Sequence, residues 1–329
     1  MSAETAASQS DIRDVVIVGS GPAGYTAAIY TARANLKPVV IASAVEAGGE
    51  LMKTTDVENF PGFPEGILGP ELMQGLEKQA ERFGAEIVFD DVTSLELEGE
   101  VKVINTSMGE TYRAYTVILA TGSAYRELGL PDERRLSGRG VSWCATCDGF
   151  FFKGQDIAVI GGGDSALEEA LFLSKFANSV TVVHRRSDLR ASKIMQERAF
   201  AHDKIRFIWD SEVIGISGDD KVESLTLKNV ETGAESVLEV TGIFVAIGND
   251  PRVSLVKDVI KLTDQGTIAV DGRSSRTSIP GVFAAGDVID PTYRQAITAA
   301  GSGCAAALDV EHYLADLDLT STAQVAPAV

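Results

Sequence analysis

Residues 14–24 read DVVIVGSGPAG and decide the fold of the first part of the chain. An apolar run leads directly into a glycine-rich turn, and a helical pattern follows over residues 25–35. A second apolar run at 38–42 completes a strand–turn–helix–strand unit. Glycines in such a turn let the backbone approach a pyrophosphate, which then lies on the positive end of the helix. The stretch therefore predicts a dinucleotide-binding unit.

The same order of elements recurs in the middle of the chain. Residues 156–166 read DIAVIGGGDSA, a helical pattern follows over 167–177, and an apolar run covers 179–183. A chain of 329 residues is longer than one hydrophobic core usually supports, so two domains are expected. The repeat predicts an α/β fold with two Rossmann-like nucleotide-binding domains.

The residues after the second strand of each unit distinguish the nucleotides. An acid there would bond a ribose 2′-hydroxyl, but the second unit carries His184-Arg185-Arg186, with Arg190 one turn further on. Guanidinium groups suit a 2′-phosphate and favour NADP(H); a solvated basic patch is the alternative. His184 itself is interpreted as structural. In the first unit Ala42-Ser43 follows the strand without an acid, so the sequence does not say how that ribose is held.

Two cysteines lie between the glycine turns, in the segment Cys144-Ala-Thr-Cys147. Thiols with this spacing can close a disulfide, which takes up or releases two electrons. Zinc is the alternative, but a closed zinc site needs four ligands, and Cys304 and the three histidines show no matching spacing. Redox chemistry is therefore favoured. Cys304, among small residues of a predicted helix, is interpreted as a buried structural cysteine.

Asp148 follows the second cysteine directly. If a helix begins near Cys144, its N-terminal dipole would lower a thiol pKa and favour the attacking thiolate. Asp148 is then either a polar residue near the helix start or an acid–base group that serves the thiols, and its position alone leaves both interpretations open.

The composition excludes several classes of protein. The net charge of −18 argues against nucleic acid or an anionic membrane surface as the main partner. No apolar run approaches the ~18–20 residues that span a bilayer. Residues 1–11 lack the basic and apolar regions of a signal peptide, and three cysteines make no disulfide framework. We therefore expect a cytoplasmic protein that binds neither nucleic acid nor a membrane.

Motifs along nearly the whole chain point to one family. They are GSGPAG (19–24), VENFPG (57–62), ATG (120–122), WCATCDG (143–149), GGGDSALEE (161–169), HRR (184–186) and VFAAGD (282–287). With them the chain closely resembles the low-molecular-weight (bacterial-type) thioredoxin reductases, from residue 15 to about residue 317.

This resemblance implies the cofactors, the domain organisation and the partner. It implies two three-layer ββα domains, with FAD in the first and NADPH in the second, which is inserted into the first. The FAD-binding domain would comprise residues 1–126 and 253–329, and the NADPH-binding domain with the disulfide residues 127–252. The domains would rotate about a hinge near residues 124–125 and 249–251. Thioredoxin is the implied substrate, and a homodimer is the implied assembly.

The resemblance also assigns individual cofactor-binding residues. On the FAD side the matching residues are Gly19, Gly21, Gly24, Asn59, Gly122, Asp287, Arg294, Gln295 and Ala296. On the NADPH side they are Gly163, Ser165, Ala166, Arg185, Arg186 and Arg190. Asp287 would hold the ribityl chain of FAD, and Gln295 and Ala296 would lie near the pyrimidine edge of the flavin.

At the thiols, the resemblance implies three roles. Cys147 would face the flavin, Cys144 would attack the disulfide of thioredoxin, and Asp148 would be the acid–base residue. The order of transfer would run from NADPH to FAD, then to the Cys144–Cys147 disulfide, and finally to thioredoxin.

Other functions agree less well with these motifs. Some related flavin disulfide reductases oxidise small dithiols with oxygen, but the NADPH segment disfavours such an oxidase. Others reduce peroxiredoxin-type proteins, but the lack of an added thioredoxin-like domain disfavours such a peroxide-reductase subunit. A ferredoxin-dependent relative would be expected to lack the HRR element. A flavin-binding sensor or scaffold without turnover is the rival from another class. The combination of thiols, acid and nucleotide turns argues against it.

Overall fold

The structure is a computed structural model that describes the backbone of residues 12–324 and the side chains of residues 12–317. The chain forms two compact units. Unit 1 contains the residues up to Ala124 and those from Pro251 onward, and unit 2 is Tyr125–Asp250. None of the helices within the described range is long and apolar enough to cross a membrane.

The chain contains nineteen strands and seven α-helices within its described residues. The strands are β1 Ile12–Val18, β2 Val39–Ala42, β3 Asp56–Val57, β4 Ile67–Leu68, β5 Glu86–Phe89, β6 Val92–Glu96, β7 Lys102–Thr106, β8 Thr111–Leu119, β9 Ser123–Tyr125, β10 Val141–Ser142, β11 Asp156–Ile160, β12 Ser179–Val183, β13 Ile205–Ile208, β14 Ser211–Ser217, β15 Ser224–Asn229, β16 Glu235–Glu239, β17 Gly242–Val245, β18 Asn249–Pro251 and β19 Val282–Ala284. The helices are α1 Pro22–Arg33, α2 Gly69–Arg82, α3 Pro131–Arg135, α4 Ala145–Asp148, α5 Asp164–Leu173, α6 Lys193–Phe200 and α7 Ala296–Gln324.

Unit 1 is built on a seven-stranded sheet with the order β5-β2-β1-β8-β7-β6, and β19 also pairs with β8. The pairings among β5, β2, β1, β8 and β19 are parallel, and those of β8, β7 and β6 are antiparallel. Successive residues of β1 face opposite layers, as the pleat of a strand requires. Val15 and Ile17 pack with α1, α2 and α7, whereas Val16 and Val18 pack in a second hydrophobic cluster on the other face.

Unit 2 repeats this three-layer plan on a smaller scale. Its central sheet is parallel, with the order β10-β17-β11-β12-β13. Ile157 and Val159 pack with α5 and α6 on one face, and Ala158 and Ile160 pack on the other face with the antiparallel sheet β14-β15-β16. The predicted α/β class with two Rossmann-like ββα domains is confirmed.

Some predicted elements have different limits. Strand β8 continues through a change of neighbour, because β1 pairs with it over Arg113–Leu119 while its first half pairs with β7 and its last half with β19. Helix α1 begins at Pro22 and not at residue 25, since proline has no N–H to lose and suits the first helical turn. Helix α5 runs over Asp164–Leu173 and not over 167–177.

Candidate active site

Cys144 and Cys147 form a disulfide at the start of α4 in unit 2. The carbonyl oxygen of Cys144 accepts hydrogen bonds from the N–H groups of Cys147 (3.2 Å) and Asp148 (3.1 Å), which closes the turn. Helix α4 has only four residues, so little macrodipole builds up at its N-terminus. Cys144 is half-buried and Cys147 is exposed. A disulfide with one exposed sulfur can exchange electrons with a partner at its surface.

Polar groups surround this disulfide. Burial raises the pKa of the Asp148 carboxyl, and a hydrogen bond with the Ser142 hydroxyl opposes that rise. The N–H of Cys144 donates to Ser142 Oγ over 3.1 Å, and Thr146 Oγ1 lies 3.4 Å from Cys144 Sγ. No role was predicted for Ser142 or Thr146, because Ser142 lies just outside the WCATCDG motif and Thr146 only separates its two cysteines.

Cys304 is not the buried cysteine that the sequence predicts. It is half-buried, and its thiol raises the pKa of the Tyr30 hydroxyl on α1. Other residues of α7 form the face that packs into unit 1, and Cys304 lies at the border of that face. These inner residues are Ala299, Ala300, Gly303, Ala306, Ala307 and Val310. Across the described part of the chain, no three His, Cys, Asp or Glu side chains lie close enough together to hold a metal ion.

Two glycines of the first turn allow close backbone packing, and the third leaves the end of α1 open. A Cβ at Gly19 would lie 2.3 Å from the carbonyl oxygen of Ala120, and one at Gly24 would lie 2.0 Å from that of Gly19, so both are needed for close backbone packing. Gly21 is the N-cap of α1, carries no side-chain cap, and has nothing within 4 Å of its Cβ position. The N-terminus of α1 is therefore open at Gly21, as an approaching pyrophosphate requires.

Asp287 lies in a short turn after β19, inside unit 1. Burial raises its pKa, and the Ser123 hydroxyl, which donates to Asp287 Oδ2 over 3.0 Å, lowers it. Gly122, just before Ser123, adopts φ +70°, and its carbonyl oxygen accepts the Arg252 N–H at 3.0 Å. The structure thus places Gly122 next to the serine that holds Asp287.

Two further residues predicted on the FAD side, Arg294 and Gln295, lie in the segment just before α7. Asn59 Nδ2 donates to Gln295 Oε1 over 3.3 Å, which joins two positions far apart in the chain. Arg294 has a positive φ of 49°, and the carboxylate of Asp290 accepts its N–H over 3.0 Å. Ala296 is the first residue of α7. Asn59, Arg294, Gln295 and Ala296 are therefore brought together by this turn.

The second glycine turn shows the same division as the first. A Cβ at Gly161 would lie 2.5 Å from the carbonyl oxygen of Ala246, whereas nothing lies within 4 Å of that position at Gly163. Gly163 is the N-cap of α5 without a side-chain cap. Ser165 is exposed in the first turn of α5, but Ala166 is fully buried, so its side chain serves the core and only its backbone could meet a ligand.

The arginines after β12 lie next to this turn. Arg185, Arg186 and Arg190 are exposed, and none of them forms an ion pair with another described residue. The N–H of Arg190 donates to the carbonyl oxygen of Gly162 over 2.8 Å. His184 is buried, and burial, together with the three arginines, lowers its pKa. A neutral histidine thus supports a glycine turn beside three guanidinium groups that are available to an anion.

Comparisons with known proteins agree on one family. A model described as pyridine nucleotide-disulphide oxidoreductase matches residues 13–303. The chain is 64% identical over 308 residues to the thioredoxin reductase of Streptomyces coelicolor, which covers 94% of this chain and 96% of that protein. It is 58% identical over 312 residues to a bifunctional thioredoxin reductase/thioredoxin of Mycobacterium leprae, which covers 95% of this chain and 68% of that protein.

A solved structure of the same family has a similar fold. The crystal structure of thioredoxin reductase from Streptococcus pyogenes matches with a TM-score of 0.89 at 47% sequence identity, and the match covers 93% of this chain and 99% of that one. The chain therefore belongs to the pyridine nucleotide-disulphide oxidoreductase family and, within it, to the bacterial-type thioredoxin reductases.

Proposed function

We propose that this chain carries electrons from NADPH, through FAD and the Cys144–Cys147 disulfide, to the disulfide of thioredoxin. The observation that carries the proposal is a disulfide in the same unit as an open glycine turn with exposed arginines beside it. The chain is an oxidoreductase that uses FAD and NADPH. The names of its relatives support thioredoxin as the substrate, and one of these names combines both proteins.

Unit 1 offers the features that FAD would need. The open N-terminus of α1 at Gly21 suits the pyrophosphate, and the half-buried Asp287 suits a ribityl hydroxyl. Asn59 and Gln295 already share a hydrogen bond and present amide groups to a flavin edge. We assign FAD binding to residues 1–126 and 253–329.

Unit 2 offers the corresponding features for NADPH, and we assign this binding to residues 127–252. Gly163 leaves the N-terminus of α5 open to a pyrophosphate, and Arg185, Arg186 and Arg190 would pair with the 2′-phosphate. When bound, NADPH supplies a hydride and FAD passes on its two electrons to a disulfide.

The thiols then perform two exchange steps. Two electrons and two protons open the Cys144–Cys147 bond and leave two thiol groups, whose protons are lost again when each cysteine attacks. The Cys144 thiolate attacks the thioredoxin disulfide, forming a mixed disulfide and releasing one thioredoxin sulfur as a thiolate. Cys147 attacks Cys144 Sγ, which restores the disulfide and releases the second thioredoxin sulfur. Two protons are taken up by the product thiols.

Asp148 would donate and accept these protons as an acid–base residue. Its raised pKa brings the carboxyl closer to neutral pH than an ordinary aspartate, so it can both give and accept a proton. Cys147 is the more exposed residue of the oxidised pair and would face the flavin, whereas Cys144 is half-buried. Rotation about the segments 124–125 and 249–251 would expose Cys144 to thioredoxin.

We further propose a cytoplasmic homodimer. Ile297, Gly301, Cys304 and Leu308 are spaced four, three and four residues apart and so share one side of α7. Ile297 and Leu308 are each 45% exposed, and residues 296–308 contain no charged side chain although the net charge is −18. A second copy would cover this apolar side.

Leu308→Asp is expected to give a monomer in light scattering. The control is Lys257→Asp, which changes another exposed position of unit 1.

The attacking cysteine is tested by covalent trapping. A thioredoxin whose resolving cysteine is replaced by serine is activated at its remaining cysteine with thionitrobenzoate. The reduced Cys147→Ser variant is expected to displace this group and form a stable mixed disulfide, whereas the reduced Cys144→Ser variant is not. A complex that formed equally well with Cys144→Ser would contradict the assignment.

A further inference from the structure

The arginines proposed for the 2′-phosphate of NADPH lie on one loop of unit 2, the arginine loop, residues 185–191, between β12 and α6. Just before this loop, the N–H of His184 donates to a carbonyl oxygen of β13 over 2.9 Å. Near its end, the carbonyl oxygen of Gly162 accepts the N–H groups of Arg190 (2.8 Å) and Ala191 (3.2 Å). Backbone hydrogen bonds therefore hold the arginine loop at both ends.

Asp164 adds a side-chain contact at the end of the arginine loop. This aspartate is the first residue of α5, and its Oδ1 accepts both the N–H (2.8 Å) and the hydroxyl (2.7 Å) of Ser192. Ser192 is the N-cap of α6, but its side chain makes no cap hydrogen bond to that helix. One carboxylate oxygen therefore takes both donors of the residue that directly follows the arginine loop.

The charge of Asp164 does not by itself suit its place beside a phosphate site. A carboxylate is favourable at the N-terminus of its own helix, but it repels a phosphate that approaches the same end of α5. Within the described residues, no ion pair joins Asp164 to an arginine of the loop. The hydrogen bonds from the N–H and the hydroxyl of Ser192 lower the pKa of Asp164, so it is ionised at neutral pH. These two bonds give a reason for an acid at this position.

We propose that Asp164 is a positioning residue that holds the arginine loop in the shape that binds the 2′-phosphate of NADPH. Asp164 would act through Ser192 and would not touch the phosphate. The role rests on the proposed binding of that phosphate by Arg185, Arg186 and Arg190. A loop that is already ordered in the free protein loses less conformational entropy on binding, so its affinity is higher. Loss of the Asp164 oxygen lowers the fraction of ordered loops, and the apparent dissociation constant rises by the inverse of that fraction.

The experiment measures by calorimetry how tightly the FAD-loaded protein binds adenosine 2′,5′-diphosphate, which carries the 2′-phosphate without the nicotinamide. Asp164→Asn keeps an acceptor oxygen and removes the charge, so it should bind this probe at least as tightly as the wild type. Asp164→Ala removes the acceptor as well, and its dissociation constant should be about threefold to tenfold higher than that of Asp164→Asn. Ser192→Ala removes one of the two donors and should weaken binding by a smaller factor. The dissociation constant of 5′-AMP, which lacks the 2′-phosphate, should be the same for Asp164→Asn and Asp164→Ala, because both lose the same charge.

Asp156→Ala is the matched control. Asp156 is an exposed aspartate at the start of β11, at the opposite edge of the same sheet, and its Oδ1 also accepts a serine hydroxyl, that of Ser179, over 2.6 Å. Its affinity for the probe should equal that of the wild type. Hydrogen exchange of residues 185–191 in the FAD-loaded protein without nucleotide measures the order of the arginine loop directly. Exchange should be faster in Asp164→Ala than in Asp164→Asn and unchanged in Asp156→Ala.

Two outcomes separate the role of Asp164 from the phosphate site itself. Equal affinities of Asp164→Ala and Asp164→Asn for adenosine 2′,5′-diphosphate, beside weakened binding by the Arg185→Gln/Arg186→Gln double variant, would overturn the role of Asp164 and leave the phosphate site intact. Wild-type affinity of the arginine double variant for this probe would overturn the proposed 2′-phosphate site, and the role of Asp164 with it.

Discussion

The hydroxyl of Ser123 donates a hydrogen bond to Asp287 Oδ2 over 3.0 Å, and the serine itself is buried. Burial raises the pKa of Asp287, as does nearby Asp290, while Ser123 and Arg294 lower it. A carboxyl kept in such surroundings destabilises the fold when it is ionised. Its retention is typical of a group that serves a ligand, because ligand sites are where such costs are found.

Asp287→Asn should therefore stabilise the FAD-free protein at neutral pH. The folded-state pKa is raised, so the folded protein binds the proton more tightly than the unfolded chain does, and the free energy of unfolding falls as pH rises from about 4, the unfolded pKa. Asparagine removes this dependence. Thermal unfolding across pH should show the stability gain appearing above about pH 4 and absent below it. A gain of equal size at every pH would contradict this explanation.

The same substitution should weaken FAD binding. Loss of a carboxylate that accepts a ligand hydroxyl is expected to lower FAD affinity by about tenfold or more, the usual effect of one hydrogen bond to a charged group. Titration of the FAD-free protein with FAD, followed by flavin fluorescence, measures this. Asp271→Asn, an exposed aspartate of unit 1, is the matched control, and its affinity should equal that of the wild type.

Gly163→Ala should impair NADPH binding and leave the fold nearly intact. The backbone of Gly163 is extended, with φ −98°, and nothing lies within 4 Å of its Cβ position, so a methyl group meets no protein atom. The change at the N-cap should cost about 0.5 kcal/mol. The methyl group would occupy the space through which a pyrophosphate approaches the end of α5, so KM for NADPH should rise about tenfold or more, an effect of at least 1.4 kcal/mol. An unchanged KM would exclude a phosphate at this turn.

Gly162→Ala should have the opposite pattern and destabilise the fold. A Cβ at Gly162 would lie 2.3 Å from atoms of the His184 ring. This ring cannot move aside easily, because it is buried and its Nε2 lies 3.1 Å from the Asp188 carbonyl oxygen. Overpacking of this kind costs about 1–3 kcal/mol, which thermal unfolding would detect. His184→Ala in the same chain should reduce the cost of Gly162→Ala, and strictly additive losses would show that the ring is not the obstacle.

The glycine turns and Cys304 show what could and could not be predicted from the sequence. Glycine turns and parallel strands are local patterns, so the fold and the proximity of Arg190 to the second glycine turn, at Gly162, could be predicted from the sequence. The face that one cysteine of α7 presents depends on how that helix packs, and here the prediction for Cys304 was wrong.

Contacts made by single hydroxyl groups were also beyond the sequence. Ser123 and Asp287 are far apart in the chain and meet because each follows one of the adjacent parallel strands β8 and β19. Ser142 lies close to the cysteines in sequence, but only the turn at α4 brings its hydroxyl to both Cys144 and Asp148. Such contacts depend on tertiary geometry and leave no periodic signal.

The Arg185→Gln/Arg186→Gln double variant should lose discrimination between the two nicotinamide cofactors. Both guanidinium groups are exposed beside the glycine turn and would pair with a 2′-phosphate that NADH lacks. KM for NADPH should rise about 10–100-fold, as expected for the loss of one or two charged hydrogen bonds, and KM for NADH should stay nearly constant. Arg206→Gln on β13 is the matched control, because it removes one exposed arginine from another part of unit 2. Equal wild-type rates with NADH and NADPH would contradict the assignment.

Thr146→Val should slow the transfer of electrons to thioredoxin without affecting the reduction of the flavin by NADPH. Thr146 Oγ1 lies 3.4 Å from Cys144 Sγ, and its hydroxyl can donate to the negative charge that develops on this sulfur when the disulfide opens. Valine has nearly the same shape but no proton to donate, so the thiol pKa of Cys144 should rise, and the rate with thioredoxin should fall about threefold to tenfold, as for one weak hydrogen bond. Thr146→Ser keeps the hydroxyl and is the control. Alkylation of the reduced Cys147→Ser protein across pH measures the thiol pKa directly, and an equal pKa with valine and threonine would show that this hydroxyl does not stabilise the thiolate.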